Sequence, residues 1–391
     1  MDDFSFFMPV RVIFGAGVSK QVGEVTRPLG ERVLVVTGKS AMRRLGVLDA
    51  VCDSLKAAGC EAEIHEGIQP NPTTAQVMAG AAHARDSGAA AIVAVGGGSS
   101  IDAAKGIAVA ATNAGDIWEY VKKSADDPRP VEIDPLPLVT IPSTAGTGSE
   151  TTPFAVLTNP ETKEKPALMH PKCFARVSLI DPEVSSMQPA KVTAATGLDV
   201  FAHVFENYTC TTASPVAEPI DLDVMSTVAK WLPKVYTDGA DGGCMEGRSR
   251  MAVGSFMAGI CLAAGGGAQM IHGLEHPVSG HFDVTHGEGL AALLPASARH
   301  FLGAIPGKAA NIARAMGREA SASDGVEECL AAIDELLAAI DLNVGLGSLG
   351  VDESALETLT DDAMRTMGRA VVKAPVETTA DDVLRVYREA M

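Results

Sequence analysis

The strongest constraint on this chain is a change of rhythm near residue 184. Before it, short β-branched and aliphatic runs alternate with Ala-rich amphipathic stretches. Residues 32–37, 61–65, 90–95 and 138–142 read as strands. Residues 48–58, 74–87 and 101–111 read as the helices between them, with Thr73 or Thr74 capping the second. Such alternation predicts a parallel sheet with helices on both faces. After Asp181-Pro182 the apolar residues recur at helical spacing and strand-like runs almost vanish. Helices are predicted over 189–208, 219–236, 247–271, 307–316, 326–340 and 379–390. The expected architecture is an α/β domain over residues 1–184 and an all-helical domain over 185–391, with no internal repeat and no low-complexity linker.

Two domains suit a chain of 391 residues at roughly 150 residues each. Apolar residues make up 47% and charged residues 20%, which excludes a disordered chain. Acidic residues outnumber basic ones by 49 to 31, for a net charge of −18. Such a surface repels phosphate backbones, so no nucleic-acid partner is expected. The first residues lack a basic segment followed by an apolar run, so no signal peptide is expected. The stretch 252–271 is rich in Gly and Ala and reads as a buried helix, so no membrane partner is expected. Seven cysteines lie scattered without a Cys-x-x-Cys pair, which points to reduced thiols and a cytoplasmic setting.

Two constellations carry chemistry. The first is Gly96-Gly97-Gly98-Ser99, which follows a predicted strand and opens a helix containing Asp102 and Lys105. Glycines let a ligand approach the backbone, and a helix N-terminus offers N–H groups to a phosphate. The loop is not Gly-x-Gly-x-x-Gly, and in isolation it is as readily a tight turn. A second loop follows another strand and runs from Thr140 through Ser143, Thr144 and Thr147 to Glu150. Two such loops at the carboxyl edge of one sheet suit a dinucleotide.

The second constellation is built on histidine. Four of the nine histidines, His272, His276, His281 and His286, fall within fifteen residues. Upstream, Asp199 and His203 stand four apart on one face of a predicted helix. Together they suit a divalent transition metal. His281 is out of phase with His272 and His276 and is set aside, as are His65, His83, His170 and His300.

These residues resemble the iron-containing (group III) alcohol dehydrogenase family over nearly the whole chain. The match runs through Val12-Ile13-Phe14-Gly15-Ala16-Gly17, Pro70-Asn71-Pro72-Thr73 and Gly96-Gly97-Gly98-Ser99. It continues through residues 141–150, Gly197-Leu198-Asp199 with His203, His272-Gly273-Leu274-Glu275-His276-Pro277 and His286-Gly287-Glu288-Gly289. The resemblance implies the dehydroquinate synthase-like fold, with a nucleotide-binding α/β domain, a helical metal-binding domain and an active site in the cleft between them. It implies metal ligands at Asp199, His203, His272 and His286, the last two 14 residues apart. It moves His276 out of the ligand set, toward nicotinamide, substrate and a proton path. It implies Fe(II) or Zn(II), NAD(H) or NADP(H), and hydride transfer between the cofactor and a small alcohol or aldehyde. A homodimer or larger homo-oligomer is also implied.

The aspartate with which NAD-preferring members of that family often close the strand here ending at Thr37 is replaced by Gly38-Lys39-Ser40. Its absence removes a repulsion from a 2′-phosphate, and Lys39 adds an attraction, which favours NADP(H). Lys165 matches a family lysine that contacts the nucleotide, and Asn71 and Asp102 fall in matched segments. Residues 261–269 depart from the family pattern, with small side chains and one extra residue, which is expected to reshape the substrate pocket. Phe154 and Phe256 are candidates for its apolar wall. Glycerol dehydrogenases, maleylacetate reductases and dehydroquinate synthase-like lyases share the architecture. The intact quartet of ligands argues against the reductases, and the lack of a Lys and Arg cluster argues against the lyases.

Overall fold

The computed structural model describes residues 6–122, 128–238, 243–264 and 266–391. The chain forms two compact units. One is Met8–Thr144 with Gly148–Gln188, and the other contains Pro189–Met391 with Ala145–Thr147. The main boundary therefore falls four residues beyond the predicted one, after a short helix, Pro182–Ser185, whose N-terminus is capped by Asp181.

The strands are β1 (Arg11–Phe14), β2 (Arg32–Gly38), β3 (Glu61–Ile68), β4 (Ala91–Gly96), β5 (Val121–Lys122), β6 (Leu138–Pro142), β7 (Phe154–Val156), β8 (Ala167–Met169) and β9 (Val177–Ile180). Six of them form one parallel sheet in the order β1-β9-β6-β4-β2-β3. β5, β8 and β7 form a small antiparallel sheet. Helices α1 (Val47–Ala57), α2 (Thr74–Asp86) and α3 (Gly98–Thr112) cover the parallel sheet.

Strand periodicity explains why both faces are covered. Leu34 and Val36 of β2, with Ile92 and Ala94 of β4, point into one core that holds Val77 of α2 and Ile107 of α3. Their neighbours Val33, Val35, Val93 and Val95 point into another, with Leu48, Val51 and Leu55 of α1. A sheet buried on both faces demands continuous apolar strands, which is why these runs do not alternate with polar residues. Thr73 begins α2 with a full capping box, its side chain on Gln76 N–H and the Gln76 side chain on its own N–H.

Among the described residues every strand lies before residue 181. The second unit is built from α4 (Ala190–Thr209), α5 (Glu218–Thr237), α6 (Met245–Ala263), α7 (Met270–Phe282), α8 (His286–Phe301), α9 (Pro306–Ala315), α10 (Gly325–Ala339), α11 (Leu356–Thr366) and α12 (Ala380–Glu389). α4 is its central post, with Leu198, Phe201, Val204 and Phe205 fully buried in the core.

The single helix predicted over 247–271 is instead two. It ends at Ala263 and restarts at Met270. Gly267 sits at φ +72°, where a side chain is strained, and a Cβ on Gly266 would lie 1.9 Å from Asn207 Oδ1. These small residues thus serve a tight pass of backbone against α4. No helix among the described residues is long and apolar enough to cross a membrane.

Candidate metal centre and nucleotide loops

In the α/β unit, β6, β4 and β2 are neighbours and run parallel, so Pro142, Gly96 and Gly38 close them at one edge. Connections leave β4 and β2 in opposite directions across the sheet. Such a reversal opens a crevice at the carboxyl ends, where α/β proteins bind nucleotides. α3 begins at Gly98, three residues earlier than predicted, with Gly97 as its N-cap and no side chain capping it. Its first turn therefore presents backbone N–H groups at that edge. Gly96 has φ +151°, and a Cβ there would lie 2.5 Å from Ser100 Oγ. Ser143 N–H donates to Gly96 O at 2.9 Å, and Thr144 packs on Gly97, so the two predicted loops meet. Lys39 and Ser40 are exposed beyond β2, and Asn71 takes a positive φ of 53°.

Four more of the predicted nucleotide residues have these surroundings. Thr140 is fully buried, and its hydroxyl donates to Ser178 Oγ at 2.9 Å, so that group ties β6 to β9. Asp102 accepts from Ser149 Oγ at 2.5 Å and from Val156 N–H at 3.0 Å. Lys165 is buried, at 6% exposure. Thr147 belongs with the helical unit, where neighbouring Gly146 N–H donates to Ser255 Oγ at 2.8 Å. Buried Lys105 places Nζ between 2.6 and 3.3 Å from four oxygens of Ser149, Thr152 and Phe154. Phe154 lies in the α/β unit and Phe256 on α6 of the helical unit.

In the helical unit, Asp199 and His203 stand one turn apart on α4, as their spacing predicts. His272 lies in the first turn of α7 and His286 is the first residue of α8. Close backbone approaches fix α8 against α4 and α7 against the segment around Val371. A Cβ on Gly287 would lie 2.1 Å from Ala195 O, and one on Gly273 would lie 3.0 Å from Val371. Asp199 Oδ1 is 3.4 Å from His203 Nδ1, 3.4 Å from His272 Nε2 and 3.7 Å from His286 Nε2. The ligand atoms of Asp199, His272 and His286 all lie within 4.8 Å of one another. His203 stands outside that trio but stacks on His272 with ring centroids 4.5 Å apart. Its Nδ1 is buried and makes no hydrogen bond among the described residues.

A cation with bonds of about 2.0–2.2 Å to tetrahedral N and O ligands sets those ligands roughly 3.4 Å apart. The separations around Asp199 match that spacing, and three imidazoles with a carboxylate are the donor set of Zn(II) and Fe(II) alike. Electrostatics agree. Burial works to raise the Asp199 carboxyl, but His203, His272 and His286 outweigh it and hold it well below the usual carboxylate range. Burial pushes His203 down to about 3. Burial also works downward on His272, but Glu206 and Asp199 lift it to about 10.

His276 is buried, with its ring 5.7 Å from that of His286 and 6.3 Å from that of His272. Glu275, His276 and His286 form a second group of close donors. There Glu275 hydrogen-bonds His286 Nδ1 directly, which leaves no room for an ion between those two atoms. His281 faces Asp362 at 3.3 Å.

Sequence reasoning missed Glu206 and treated Glu275 only as part of a motif. Both are fully buried, Glu206 against His272 Nδ1 and Glu275 against His286 Nδ1. A signal for the first was present, because Asp199, His203 and Glu206 are spaced i, i+4, i+7 on one face of an apolar helix.

Comparison with known proteins accounts for both units. Residues 9–182 match the family model for iron-containing alcohol dehydrogenase, and residues 193–391 match that for the C-terminal part of the Fe-containing alcohol dehydrogenase family. The chain is 31% identical to long-chain-alcohol dehydrogenase 1 of Geobacillus thermodenitrificans, over 98% of this chain and 95% of that one. It is 34% identical to 1,3-propanediol dehydrogenase of Klebsiella pneumoniae, over 99% and 98%. The solved structure of an archaeal halo-thermophilic alcohol dehydrogenase from a Red Sea brine pool, bound to NZQ, superposes with a TM-score of 0.95 at 33% identity, covering 100% of this chain and 99% of that one. With both units matched along their length, the chain belongs to the iron-containing alcohol dehydrogenase family.

Proposed function

We propose that this NAD(P)-linked alcohol dehydrogenase holds its divalent metal with Asp199, His203, His272 and His286. The observation that carries the reading is the ring of three imidazole nitrogens 3.4–3.7 Å from one buried carboxylate oxygen. When bound, the cation supplies Lewis acidity to the oxygen of an alcohol or aldehyde, and nicotinamide exchanges a hydride with the adjacent carbon. The chain's own residues supply the rest. Asp199 gives the donor set its negative charge. The surrounding helices exclude bulk water, which strengthens every charge interaction inside. His276, beside the proposed ligands, is assigned to moving the proton between substrate oxygen and solvent. In the α/β unit, the first turn of α3 and the Ser143-Thr144 backbone are assigned to the pyrophosphate.

The substrate class is a small alcohol or aldehyde. Iron(II) and zinc(II) both suit the ligands. NADP(H) is proposed as the preferred cofactor, with NAD(H) also accepted. Gly38 places no carboxylate at the end of β2, and Lys39 is exposed beside it. Replacing Gly38 with Asp is expected to reduce NADPH use relative to NADH, and unchanged preference refutes the assignment. All seven cysteines are free thiols, which supports a reducing, cytoplasmic setting. A homodimer or larger assembly is proposed from the family.

The test is anaerobic purification, metal quantification and assay of NADH and NADPH oxidation with short aldehydes. Stoichiometric metal and turnover are expected. A protein that binds no metal and reduces no aldehyde refutes the reading.

A further inference from the structure

The helical unit contains two carboxylates beyond Asp199 that the proposed reaction does not use. Glu206 projects from α4 toward the start of α7. It accepts from the backbone N–H of Ile271, the backbone N–H of His272 at 3.2 Å, and the His272 ring at Nδ1. Ile271 and His272 belong to the first turn of α7, whose N–H groups have no partner within their own helix. The formal N-cap, Gln269, is occupied elsewhere, its Nε2 donating to Glu206 O at 2.9 Å and to Thr209 Oγ1 at 2.6 Å. Glu206 therefore caps α7 from another helix and grips the ring of a residue in that same turn.

Glu275 repeats the arrangement for His286. One oxygen faces His286 Nδ1 and the other accepts from Ser279 Oγ. Gly289 leaves its slot open, since a Cβ there would lie 2.9 Å from Glu275 Cγ. In both pairs the carboxylate meets Nδ1 while Nε2 faces Asp199. His203 is turned the other way, with Nδ1 as the nitrogen that faces Asp199, at 3.4 Å.

An ionised carboxylate only accepts hydrogen bonds, so the nitrogen facing it carries the proton. In a singly protonated imidazole the lone pair then lies on the other nitrogen. We propose that Glu206 and Glu275 are positioning residues that fix the Nδ1–H tautomer of His272 and His286. Each thereby turns an Nε2 lone pair toward the cation that Asp199 attracts. This rests on the metal reading above and extends it. The reading names the donors, and the two glutamates explain why those donors are ready before a cation arrives. Such outer partners typically govern metal affinity by ten- to a hundredfold.

The replacements Glu206→Gln and Glu275→Gln keep shape and replace an acceptor oxygen with an N–H donor. If the amide oxygen of the Glu206→Gln variant keeps the backbone N–H groups, the amide nitrogen meets His272 Nδ1. That ring must then accept at Nδ1 and carry its proton on Nε2, where no lone pair remains for a cation. The experiment titrates cobalt(II) into metal-free wild type and each variant, followed by the cobalt absorption bands, with 15N shifts of labelled histidines recorded in the metal-free proteins. The expected result is affinity lower by about ten- to a hundredfold in each variant. One histidine Nε2 should also move from acceptor-like to donor-like shift. A merely structural role would not move that nitrogen. If Glu206→Gln fails to fold because α7 loses its cap, Glu275→Gln decides the matter. Wild type that binds cobalt while the folded variants bind it equally well, with unchanged nitrogen shifts, overturns the proposal. Wild type that takes up no cobalt defeats the metal reading itself, and the nitrogen shifts still decide the tautomers.

Discussion

Replacing Gly287 with Ala tests how backbone packing sets the metal centre. In an open helix the change would stabilise by roughly 0.5–1 kcal/mol, because Gly loses more chain entropy on folding. Here the new methyl would lie 2.1 Å from Ala195 O and 2.5 Å from its carbonyl carbon. Both are backbone atoms and cannot rotate away. Ordinary van der Waals contact requires α8 and α4 to separate by roughly 1 Å or more. Overpacking of this kind costs about 1–3 kcal/mol. For a unit of roughly 200 residues that lowers the melting temperature by roughly 2–12 °C. His286 adjoins the inserted methyl and moves with α8, while a metal site tolerates ligand displacements of only about 0.2 Å. Metal affinity is therefore expected to fall at least tenfold. The assay is a thermal melt with and without metal, together with metal content after dialysis. Gly303→Ala is the control, since nothing lies within 4 Å of its Cβ, and it is expected to change stability by under about 0.5 kcal/mol. A Gly287→Ala protein that melts at or above the wild-type temperature and keeps its metal refutes the reasoning.

Further outcomes follow from other groups. Asp221 is fully buried on α5, and burial pushes its carboxyl up to about 7, partly offset by the Asn207 side chain 2.6 Å away. The folded protein then holds an extra proton from about pH 4 to pH 7, and stability falls as pH rises through that window, by up to roughly 4 kcal/mol. Asp221→Asn should therefore gain on wild type in melting temperature between pH 5 and pH 8, and a constant difference between the two would contradict the assignment. Lys105→Met strands four acceptor oxygens and removes the cation beside Asp102. Chemical denaturation of the variant should show a loss of about 3–5 kcal/mol. His276→Ala should retain metal while turnover drops about 10²–10⁴-fold, and metal loss in that variant would make His276 a ligand.

The sheet was legible because strands buried on both faces must be continuous apolar runs, as 33–36 and 91–95 are. Asp199 and His203 were legible because helical spacing alone puts them on one face. The partners of that pair come from α7 and α8, and only the family resemblance separated His272 and His286 from His276. The helices themselves were harder to read, since Pro277 and Pro295 interrupt them. Both are accommodated inside the folded bundle. The break after Ala263 was hidden because Gly and Ala extend an apolar pattern. Only the contact of Gly266 with Asn207 shows why the chain turns there. Glu206 and Glu275 were overlooked because acids on helices usually face water, and their burial depends on partners 66 and 11 residues away. Thr140 illustrates the converse. A hydroxyl in a strand that leads to a nucleotide loop suggests a ligand, yet its partner is the next strand.

The metal centre is tested most directly by anomalous diffraction from crystals of metal-loaded protein, recorded on both sides of the absorption edge of the bound metal. The expected result is one strong anomalous peak at bonding distance from Asp199, His272 and His286, with His203 completing the set. A peak held instead by Glu275, His276 and His286, or no peak in either place after loading, would contradict the assignment.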